Sequence, residues 1–404
     1  MKLAKVKAIE GKVLLQTYDR LPVLLTHGKG AYLYGADGKK YLDFLSGIGV
    51  NALGHSHPAV TKAIRKQAGR LIHTSNLFYH EFQSRLALEL TKLSGMDRAF
   101  FCNSGTEAWE GALKIARAYA HEKKNRKWRF LALEGSFHGR TFGSVATTHT
   151  LKYREPFEPL MPGVKFVKFN DVADLEAQFD DEVCAICIEP VQGEGGINPV
   201  SMEFMHKARA LATKHDALLL ADEIQCGMGR TGKWFAFQHY GIKPDVVTLA
   251  KPIANGLPLG AVLVTEKVAK VIHPGMHGTT FGGGALACAT ALAVLDTIKK
   301  DKLLAHNREL GAHFLKLLRK LDARHPAIQD VRGVGLMLGM ELDSADRAKQ
   351  VVKDLLAKGT IINRTHETVL RFLPPYIVTA RQVEQVVEAL DEALTSNSAA
   401  SARK

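Results

Sequence analysis

Two apolar runs of the sequence each end near a residue that can do acid–base or nucleophilic chemistry. The run ALLLADEIQ contains Asp222, and the run VVTLAK ends in Lys251. Such runs predict two buried neighbouring strands, which would place a carboxylate and an amine at one edge of a sheet. A pyridoxal phosphate cofactor requires this pair, because Lys251 can bond to its aldehyde and Asp222 can keep its ring nitrogen protonated. Taken alone, the two residues could equally end two strands of one β-α-β unit.

A second polar group follows a predicted strand end in the segment FFCNSGTEAWEGALK. Ser104, Gly105 and Thr106 lie where a helix is predicted to begin. The first amides of a helix and the positive end of its dipole form a site suited to a phosphate. Simple capping by Ser104 or Thr106 explains the segment equally well when it is considered alone. Together with Lys251 and Asp222, it favours a phosphate site.

Two further segments carry groups that could meet a cofactor or a substrate. In GSFHGRTFGS, Phe137 could stack on a cofactor ring and Arg140 could bind a carboxylate with both arms of its guanidinium. The alternatives are a core phenylalanine and a surface ion pair. In IEPVQGEGG, Glu194 follows a buried strand, where an unpaired charge is costly, so we expect a cationic partner for it.

The pattern between residues 99 and 265 predicts the scaffold that positions these groups. Short apolar runs alternate there with longer amphipathic stretches: RFLALEG, VKFVKF, CAICIEP, ALLLADE, DVVTLAK and GAVLVTE are the runs. This alternation predicts an α/β fold with a mostly parallel sheet and helices on both faces. Ligands of such sheets bind at the carboxyl ends of the strands, where the candidate residues cluster.

The remaining sequence predicts a second, smaller unit. Residues 299–395 form long amphipathic helices around a few short strands, and residues 1–60 are too few to fold alone. We therefore predict a large domain at 61–298 and a smaller α+β domain built from 1–60 and 299–395. The small polar residues of 396–404 predict a disordered tail.

Composition narrows the possible functions. The chain has 404 residues and a net charge of +13, but its basic residues are scattered among 41 acidic ones, so a nucleic-acid-associated protein is the weaker interpretation. The densest basic run, HEKKNRKWR, predicts a solvated loop. Five dispersed cysteines favour a reducing compartment, and the single C-x-x-C lies in a strand and lacks a second pair for zinc.

Targeting signals are not evident in the sequence. The N-terminus lacks the apolar core of a secretory signal, and the longest apolar stretch, ALACATALAVL, is too short to span a bilayer. These features predict a cytoplasmic protein without a membrane span. The segment GMGRTGKW nearly matches a phosphate-binding loop for nucleotides, but a tryptophan stands where such a loop needs Ser or Thr.

Taken in order, the motifs NSGTEA, SFHGRT, EPVQGEGG, DEIQCGMGRTG, TLAKP, HGTTFGG and LRFLPP resemble those of class III aminotransferases. The resemblance covers nearly the whole chain, from about residue 18 to 390. It implies fold type I of the pyridoxal phosphate enzymes and a homodimer with shared active sites. It also implies transfer of the δ-amino group of N-acetylornithine to 2-oxoglutarate, as in arginine biosynthesis. Ornithine, succinylornithine and 4-aminobutyrate remain alternative amine donors.

The resemblance also implies roles at the cofactor. Lys251 would bond to the cofactor and move the proton, and Asp222 would meet the ring nitrogen. Gln225 would bind the ring oxygen and Phe137 would cover the ring. Ser104, Gly105 and Thr106 would bind the phosphate, together with Thr280 from the neighbouring subunit.

For the substrates, the resemblance implies two carboxylate sites used in turn. Arg140 and Thr279 would meet the α-carboxylate of the amine donor. Arg371 would bind the α-carboxylate of 2-oxoglutarate or glutamate, and Glu194 would pair with Arg371 while the amine donor is bound. Ile48 stands where ornithine aminotransferases carry a tyrosine, which weakens the ornithine alternative.

The chain departs from the family pattern at a few positions. Trp109 replaces a usual asparagine just after the phosphate loop, and Gly284 and Ala285 replace a common Asn–Pro pair. None of these changes removes a catalytic group.

Overall fold

The computed structural model describes residues 1–124 and 127–401. The helices are α1 (Leu3–Val13), α2 (Ser46–Gly49), α3 (Pro58–Ala68), α4 (Glu81–Ser94), α5 (Gly105–Glu122), α6 (Phe142–Ala146), α7 (Leu151–Arg154), α8 (Val172–Gln178), α9 (Met202–Lys214), α10 (Glu266–Ala269), α11 (Ala285–Lys300), α12 (Leu303–Asp322), α13 (Ala345–Ala357) and α14 (Ala380–Ser401). Short 3-10 helices cover Glu155–Phe157, Ala236–His239 and Lys251–Ala254.

The strands are β1 (Leu25–Lys29), β2 (Tyr32–Gly35), β3 (Lys40–Asp43), β4 (Arg98–Cys102), β5 (Arg129–Leu133), β6 (Val164–Val167), β7 (Val183–Ile188), β8 (Val191–Gln192), β9 (Asn198–Pro199), β10 (Leu218–Asp222), β11 (Val246–Leu249), β12 (Gly260–Val264), β13 (Ile328–Val334), β14 (Met337–Leu342), β15 (Thr360–Ile361), β16 (Asn363–Thr365) and β17 (Val369–Phe372).

A seven-stranded sheet in the order β4-β12-β11-β10-β7-β5-β6 forms the centre of the large lobe. Its pairs from β11 to β6 are parallel, and β12 runs antiparallel to both of its neighbours. Because every residue of β7, β10, β11 and β12 is buried, these strands consist of continuous apolar runs rather than alternating ones. The predicted mostly parallel sheet is confirmed.

Helices cover both faces of this sheet, as predicted. On one face, the apolar side of α5 packs on Phe130, Ala132 and other strand residues that point to the same side of the sheet. On the opposite face, Leu131 and Leu133 pack with apolar residues of α4, α9 and α11. Adjacent residues of β5 therefore enter different hydrophobic clusters, as the alternating side chains of a strand require.

The smaller lobe joins the two ends of the chain. Strand β15 pairs in parallel with β3, and β2 and β3 form a hairpin around the turn that contains Asp37 and Gly38. Phe44 lies against Phe314, and Phe314 against Phe372, with ring centroids 5.7 and 5.2 Å apart. This packing supports a shared N- and C-terminal domain, whose boundaries at residues 60 and 298 stay a prediction.

The C-terminal tail differs from the expectation of disorder. Helix α14 continues through residues 396–401, and hydroxyls of Thr395 and Ser396 donate to carbonyls one turn earlier, at Asp391 and Glu392. Alanine and the preceding turns favour continuation of the helix, which the small polar composition of the tail concealed. The rest of the predicted tail, 402–404, and residues 125–126 of the basic run lie outside the described residues.

The described part of the chain has neither a membrane-spanning helix nor a cluster of metal ligands. None of its helices is long and apolar enough to cross a membrane. Within residues 1–124 and 127–401, no group of three or more His, Cys, Asp or Glu side chains is arranged to hold a metal ion.

Candidate active site

A cavity of about 310 Å³ opens at the carboxyl ends of β10 and β11. Its size lies at the lower end of the range for small-molecule sites. The sequence-predicted residues that line it are Ser104, Gly105, Thr106, Phe137, Glu194, Asp222, Gln225 and Lys251. Segments distant in sequence thus meet at the edge of the sheet where ligands of parallel α/β folds bind.

Lys251 begins the short 3-10 helix that follows β11. Its φ of 39° lies in the left-handed region, which residues with a side chain adopt rarely, and this turn places the lysine in the cavity wall. Burial lowers the pKa of the Lys251 amine, Glu194 opposes this effect and Arg371 adds to it. A lowered pKa increases the neutral fraction of the amine, which is the form that attacks a carbonyl carbon.

Asp222 ends β10 and is 3% exposed. Its Oδ1 accepts hydrogen bonds from the Ile224 amide and the Thr248 hydroxyl, both at 3.1 Å. Its Oδ2 lies 2.7 Å from Nδ1 of His138, so the proton of that bond belongs on the imidazole. Three donors thus hold a buried carboxylate in one orientation at the cavity.

The N-terminus of α5 forms another wall of the cavity. Ser104 and Glu107 cap this helix reciprocally: the Glu107 amide donates to the Ser104 hydroxyl at 3.2 Å, and that hydroxyl donates to the Glu107 carboxylate at 3.1 Å. Ser104 therefore caps α5, which was one of the two alternatives predicted for it. The amides of Gly105 and Thr106 have no carbonyl one turn earlier to bond. A phosphate role for Ser104, Gly105 and Thr106 stays a prediction.

Glycine is required at position 105 by a close approach. A Cβ built there would lie 2.9 Å from the Ile224 side chain. Any larger residue would therefore require that side chain to move. The hydroxyl of Thr106 lies 2.8 Å from that of Thr141 and 2.9 Å from that of Ser144, which connects the helix start to the loop carrying Arg140.

Phe137 and Arg140 lie beside a tyrosine that the sequence patterns did not indicate. The guanidinium of Arg140 lies 3.6 Å from the ring centroid of Tyr153, at the favourable distance for a cation–π contact. The same ring meets Phe137 edge to face, with centroids 6.1 Å apart. Phe137 lines the cavity, whereas Arg140 is exposed and follows Gly139, which also lines it.

Arg371 and Glu194 form an ion pair, and Glu194 lines the cavity. Arg371 is 1% exposed, and it also donates to Asn363 at 3.2 Å and to Gln225 at 3.4 Å. Burial alone would raise the pKa of Glu194, but Arg371, Lys251 and the Thr365 hydroxyl together lower it. The cationic partner expected for Glu194 is therefore found, and the carboxylate is held in its charged form.

The remaining candidates lie away from the cavity wall. Thr279 accepts a hydrogen bond at 3.2 Å from Asn103, which itself lines the cavity. Thr280 is exposed, and Ile48 is 40% exposed with a φ of 64°. The substrate roles of Ile48 and Thr279, and that of Thr280 toward a neighbouring subunit, stay predictions.

These residues fit pyridoxal phosphate. The uncovered amides at the start of α5 suit its phosphate, the buried Asp222 suits a protonated ring nitrogen, and Lys251 supplies the amine for its aldehyde. The close contact at Gly105 keeps the phosphate end free of side chains.

Comparison with known proteins places the chain in a family. The model of the aminotransferase class-III family matches residues 14–394. The chain belongs to the class III aminotransferases. It is 49% identical to the acetylornithine aminotransferase of Methanocaldococcus jannaschii, over 96% of this chain and 97% of that one.

Two solved aminotransferase structures share nearly the whole fold. The ornithine aminotransferase from Toxoplasma gondii matches with a TM-score of 0.94 and 33% identity, covering 98% of this chain and 96% of that one. The acetylornithine aminotransferase from Elizabethkingia anophelis matches with a TM-score of 0.87 and 32% identity, covering 98% and 100%. The predicted α/β fold of type I is therefore confirmed.

Two residues of this class III site, His138 and Glu189, had no role predicted from the sequence. His138 stands between Phe137 and Arg140 in SFHGRT, but only the fold shows its bond to Asp222. Glu189 lines the cavity and accepts from the amides of Phe137 at 2.9 Å and Gly193 at 3.1 Å. Burial raises the pKa of Glu189 to about 7. A buried carboxylate after a strand was the available signal for Glu189.

Glu223 is a second buried carboxyl group with a raised pKa, and it leads to a prediction for the pH dependence of stability. Burial raises the pKa of Glu223 from 4.5 to about 7, against hydrogen bonds from the amides of Ala236 and Phe237. Between about pH 4.5 and 7, this carboxyl group therefore binds more protons in the folded apoprotein than in the unfolded chain. We expect Glu223 to make the free energy of unfolding fall as pH rises through this window. Glu223 should contribute up to about 1.4 kcal/mol per pH unit to that slope.

Denaturant unfolding of the apoprotein between pH 4.5 and 7 measures this slope. Glu223→Gln should make it less negative, whereas Glu203→Gln, at an exposed position in α9, should leave it unchanged. The slope rather than the absolute stability is the readout, because an amide cannot accept both backbone hydrogen bonds of Glu223. A Glu223→Gln slope equal to that of the unmodified chain would contradict the prediction.

Proposed function

We propose that this chain transfers the δ-amino group of N-acetylornithine to 2-oxoglutarate with pyridoxal phosphate as cofactor, as arginine biosynthesis requires. The observation that carries the proposal is that two guanidinium groups adjoin residues of one cavity. Arg371 is buried and paired with Glu194, which lines the cavity, while Arg140 is exposed and follows Gly139, which also lines it. Several relatives at 42–49% identity carry the name acetylornithine aminotransferase.

Two separated carboxylate sites suit two substrates of different length. N-acetylornithine carries its reacting amine at the far end from its carboxylate, so the exposed Arg140 suits that carboxylate. In 2-oxoglutarate the reacting carbon adjoins the α-carboxylate, so the nearer Arg371 suits it. The pairing of Glu194 with Arg371 removes the second positive charge when the amine donor, which has no carboxylate near its amine, is bound.

The cofactor, when bound, carries the amino group between substrates and takes up the negative charge that develops on the reacting carbon. With the cofactor bound, Lys251 would be the base that takes the proton from the carbon that bears the amine and holds it for return. Its lowered pKa suits this role, since the neutral amine is the base. Asp222, oriented by His138, Ile224 and Thr248, holds the ring-nitrogen proton in place.

Steady-state assays with 2-oxoglutarate as acceptor test the proposed substrate. Values of kcat/KM for N-acetylornithine, succinylornithine, ornithine and 4-aminobutyrate report differential stabilisation of the transition state. We expect N-acetylornithine to exceed free ornithine by at least about tenfold, because the ornithine-contacting tyrosine is replaced by Ile48. Preference for 4-aminobutyrate would reject N-acetylornithine as the substrate while retaining the aminotransferase reaction.

A homodimer is the second part of the proposal. The segment before α4 exposes Leu77 by 85%, Phe78 by 67% and Tyr79 fully, and Phe281 nearby is 66% exposed. Asn76 joins this segment to the loop of Thr280 through hydrogen bonds to the carbonyls of Thr279 and Gly282. An exposed apolar surface of this kind is typical of a contact between subunits. A second copy would cover it and bring Thr280 of the partner subunit toward the phosphate end.

The variant Phe78→Asp tests the dimer by sedimentation. We expect its mass to fall from that of two chains toward that of one, because a charge would be buried without a partner in the contact. Its affinity for pyridoxal phosphate should fall as well. The control is Met202→Asp, at an exposed apolar position in the first turn of α9, where a carboxylate suits the helix dipole. Dimers as stable as those of the control would contradict the proposed contact.

A further inference from the structure

Trp109 is a departure from the family pattern that lies directly behind the candidate cofactor site. It belongs to α5 and is fully buried. The cavity is lined by His138 and not by Trp109, so the imidazole lies between the indole and the cavity. A tryptophan here can act on the cofactor only through that histidine.

The indole and the imidazole are stacked. Their ring centroids are 4.0 Å apart and their planes differ by 5°. The indole is itself fixed, because its Nε1 donates to the Thr147 hydroxyl at 2.9 Å. Such a contact fixes the plane of the imidazole. Stacking of aromatic rings at this separation is favourable, and the indole leaves no room for the imidazole to tilt.

The imidazole of His138 is anchored by hydrogen bonding at one side only. Nδ1 donates to Asp222, whereas Nε2 is buried and has no hydrogen-bond partner among the described residues. A half-turn of the ring would place a carbon against Asp222 and break that bond. The stacked indole obstructs this path, because a turning ring must leave the stacking plane.

We propose that Trp109 is a positioning residue, which keeps Nδ1 of His138 directed at Asp222 and thereby holds the Asp222 carboxylate toward the ring nitrogen of the cofactor. This rests on the proposed function, because pyridoxal phosphate is the group that Asp222 would meet. Asparagine, usual at this position in the family, presents no aromatic face. In this chain, the indole therefore supplies an orienting contact through its ring.

The competing account is that Trp109 only fills space in the cluster formed by α5 and the sheet. The two accounts differ for side chains that fill the space with and without a ring. Trp109→Phe keeps an aromatic face, and Trp109→Met fills much of the volume with a flexible chain. A space-filling role treats the two alike, whereas a positioning role separates them.

Proton NMR of the apoenzyme with 15N-labelled histidine provides a readout independent of activity. The proton on Nδ1 of His138 should give a far-downfield signal, assigned by its loss in His138→Gln. We expect the signal to persist in Trp109→Phe and to broaden or disappear in Trp109→Met. Titration with pyridoxal phosphate should show affinity within about twofold of the unmodified enzyme for Trp109→Phe and weakened by up to about tenfold for Trp109→Met.

An unchanged signal and unchanged cofactor affinity in folded Trp109→Met would overturn the inference. If Trp109→Met does not fold, Thr147→Val releases the indole without removing it, and a signal as sharp as that of the unmodified enzyme would overturn it equally. No amine donor enters either measurement, so a wrong substrate does not affect them. Failure of the unmodified enzyme to bind pyridoxal phosphate would instead reject the proposed function.

Discussion

Lys251→Ala is expected to abolish transamination and the visible absorbance that the bound cofactor gives when joined to a lysine. Lys251 is the amine that we place in the wall of the cavity, and no other group in the proposed reaction both bonds to the cofactor and moves the substrate proton. Loss of a nucleophile that also serves as the base should reduce kcat by at least about a thousandfold. Activity assays and an absorbance spectrum measure the two effects.

The fold should survive this change, because the charge of a buried lysine costs free energy rather than supplying it. Circular dichroism and thermal unfolding provide that check. Lys300→Ala is the matched control, since Lys300 is exposed in the last turn of α11. Turnover by Lys251→Ala close to that of the control would reject this assignment of the active site.

Arg371→Ala is expected to affect the two half-reactions unequally. Removal of the guanidinium takes away the proposed partner of the 2-oxoglutarate carboxylate, so kcat/KM for 2-oxoglutarate should fall by about a hundredfold or more. The amine donor reaction should change far less, because its carboxylate is assigned to Arg140. Stopped-flow measurement of each half-reaction separates them, and equal losses would contradict the two-site arrangement.

Two further variants distinguish a substrate effect from a structural one. Arg371→Ala leaves Glu194 without its cation, which should lower stability by about 3–5 kcal/mol. Arg371→Lys retains the charge but cannot bind a carboxylate with two hydrogen bonds. Its kcat/KM for 2-oxoglutarate should therefore lie between those of the unmodified enzyme and Arg371→Ala. Glu194→Gln should retain the 2-oxoglutarate reaction and weaken that of the amine donor. In this variant no carboxylate balances the charge of Arg371, which then lies beside an uncharged part of the donor. The opposite pattern would reject the role of Glu194.

The sequence predicted the sheet and the residues at its edge because both depend on local patterns. Fully buried strands such as β7 and β10 are continuous apolar runs, and Asp222 and Lys251 directly follow or end such runs. Since the carboxyl ends of neighbouring parallel strands meet, their proximity followed from the strand order alone. The capping of α5 by Ser104 was one of two alternatives that local sequence could not separate.

The contacts that orient these residues depend on tertiary structure and had no local signal. His138 reaches Asp222 across 84 positions of sequence, and Trp109 of α5 stacks on His138, which lies in the loop after β5. The left-handed backbone of Lys251 likewise depends on its surroundings, because an isolated lysine disfavours that conformation. Helix α14 continues through 396–401, which the composition of this segment did not predict. Adding a residue to an existing helix is much easier than starting one, and composition alone does not show the preceding turns.

The central claim is that Lys251 holds pyridoxal phosphate in the cavity at the ends of β10 and β11. Borohydride makes the bond between a lysine and this cofactor permanent, and peptide mass spectrometry then identifies the lysine. We predict that the reduced enzyme carries one cofactor per chain, on the peptide containing Lys251. Modification of a different lysine, or no modification of enzyme saturated with the cofactor, would contradict the account.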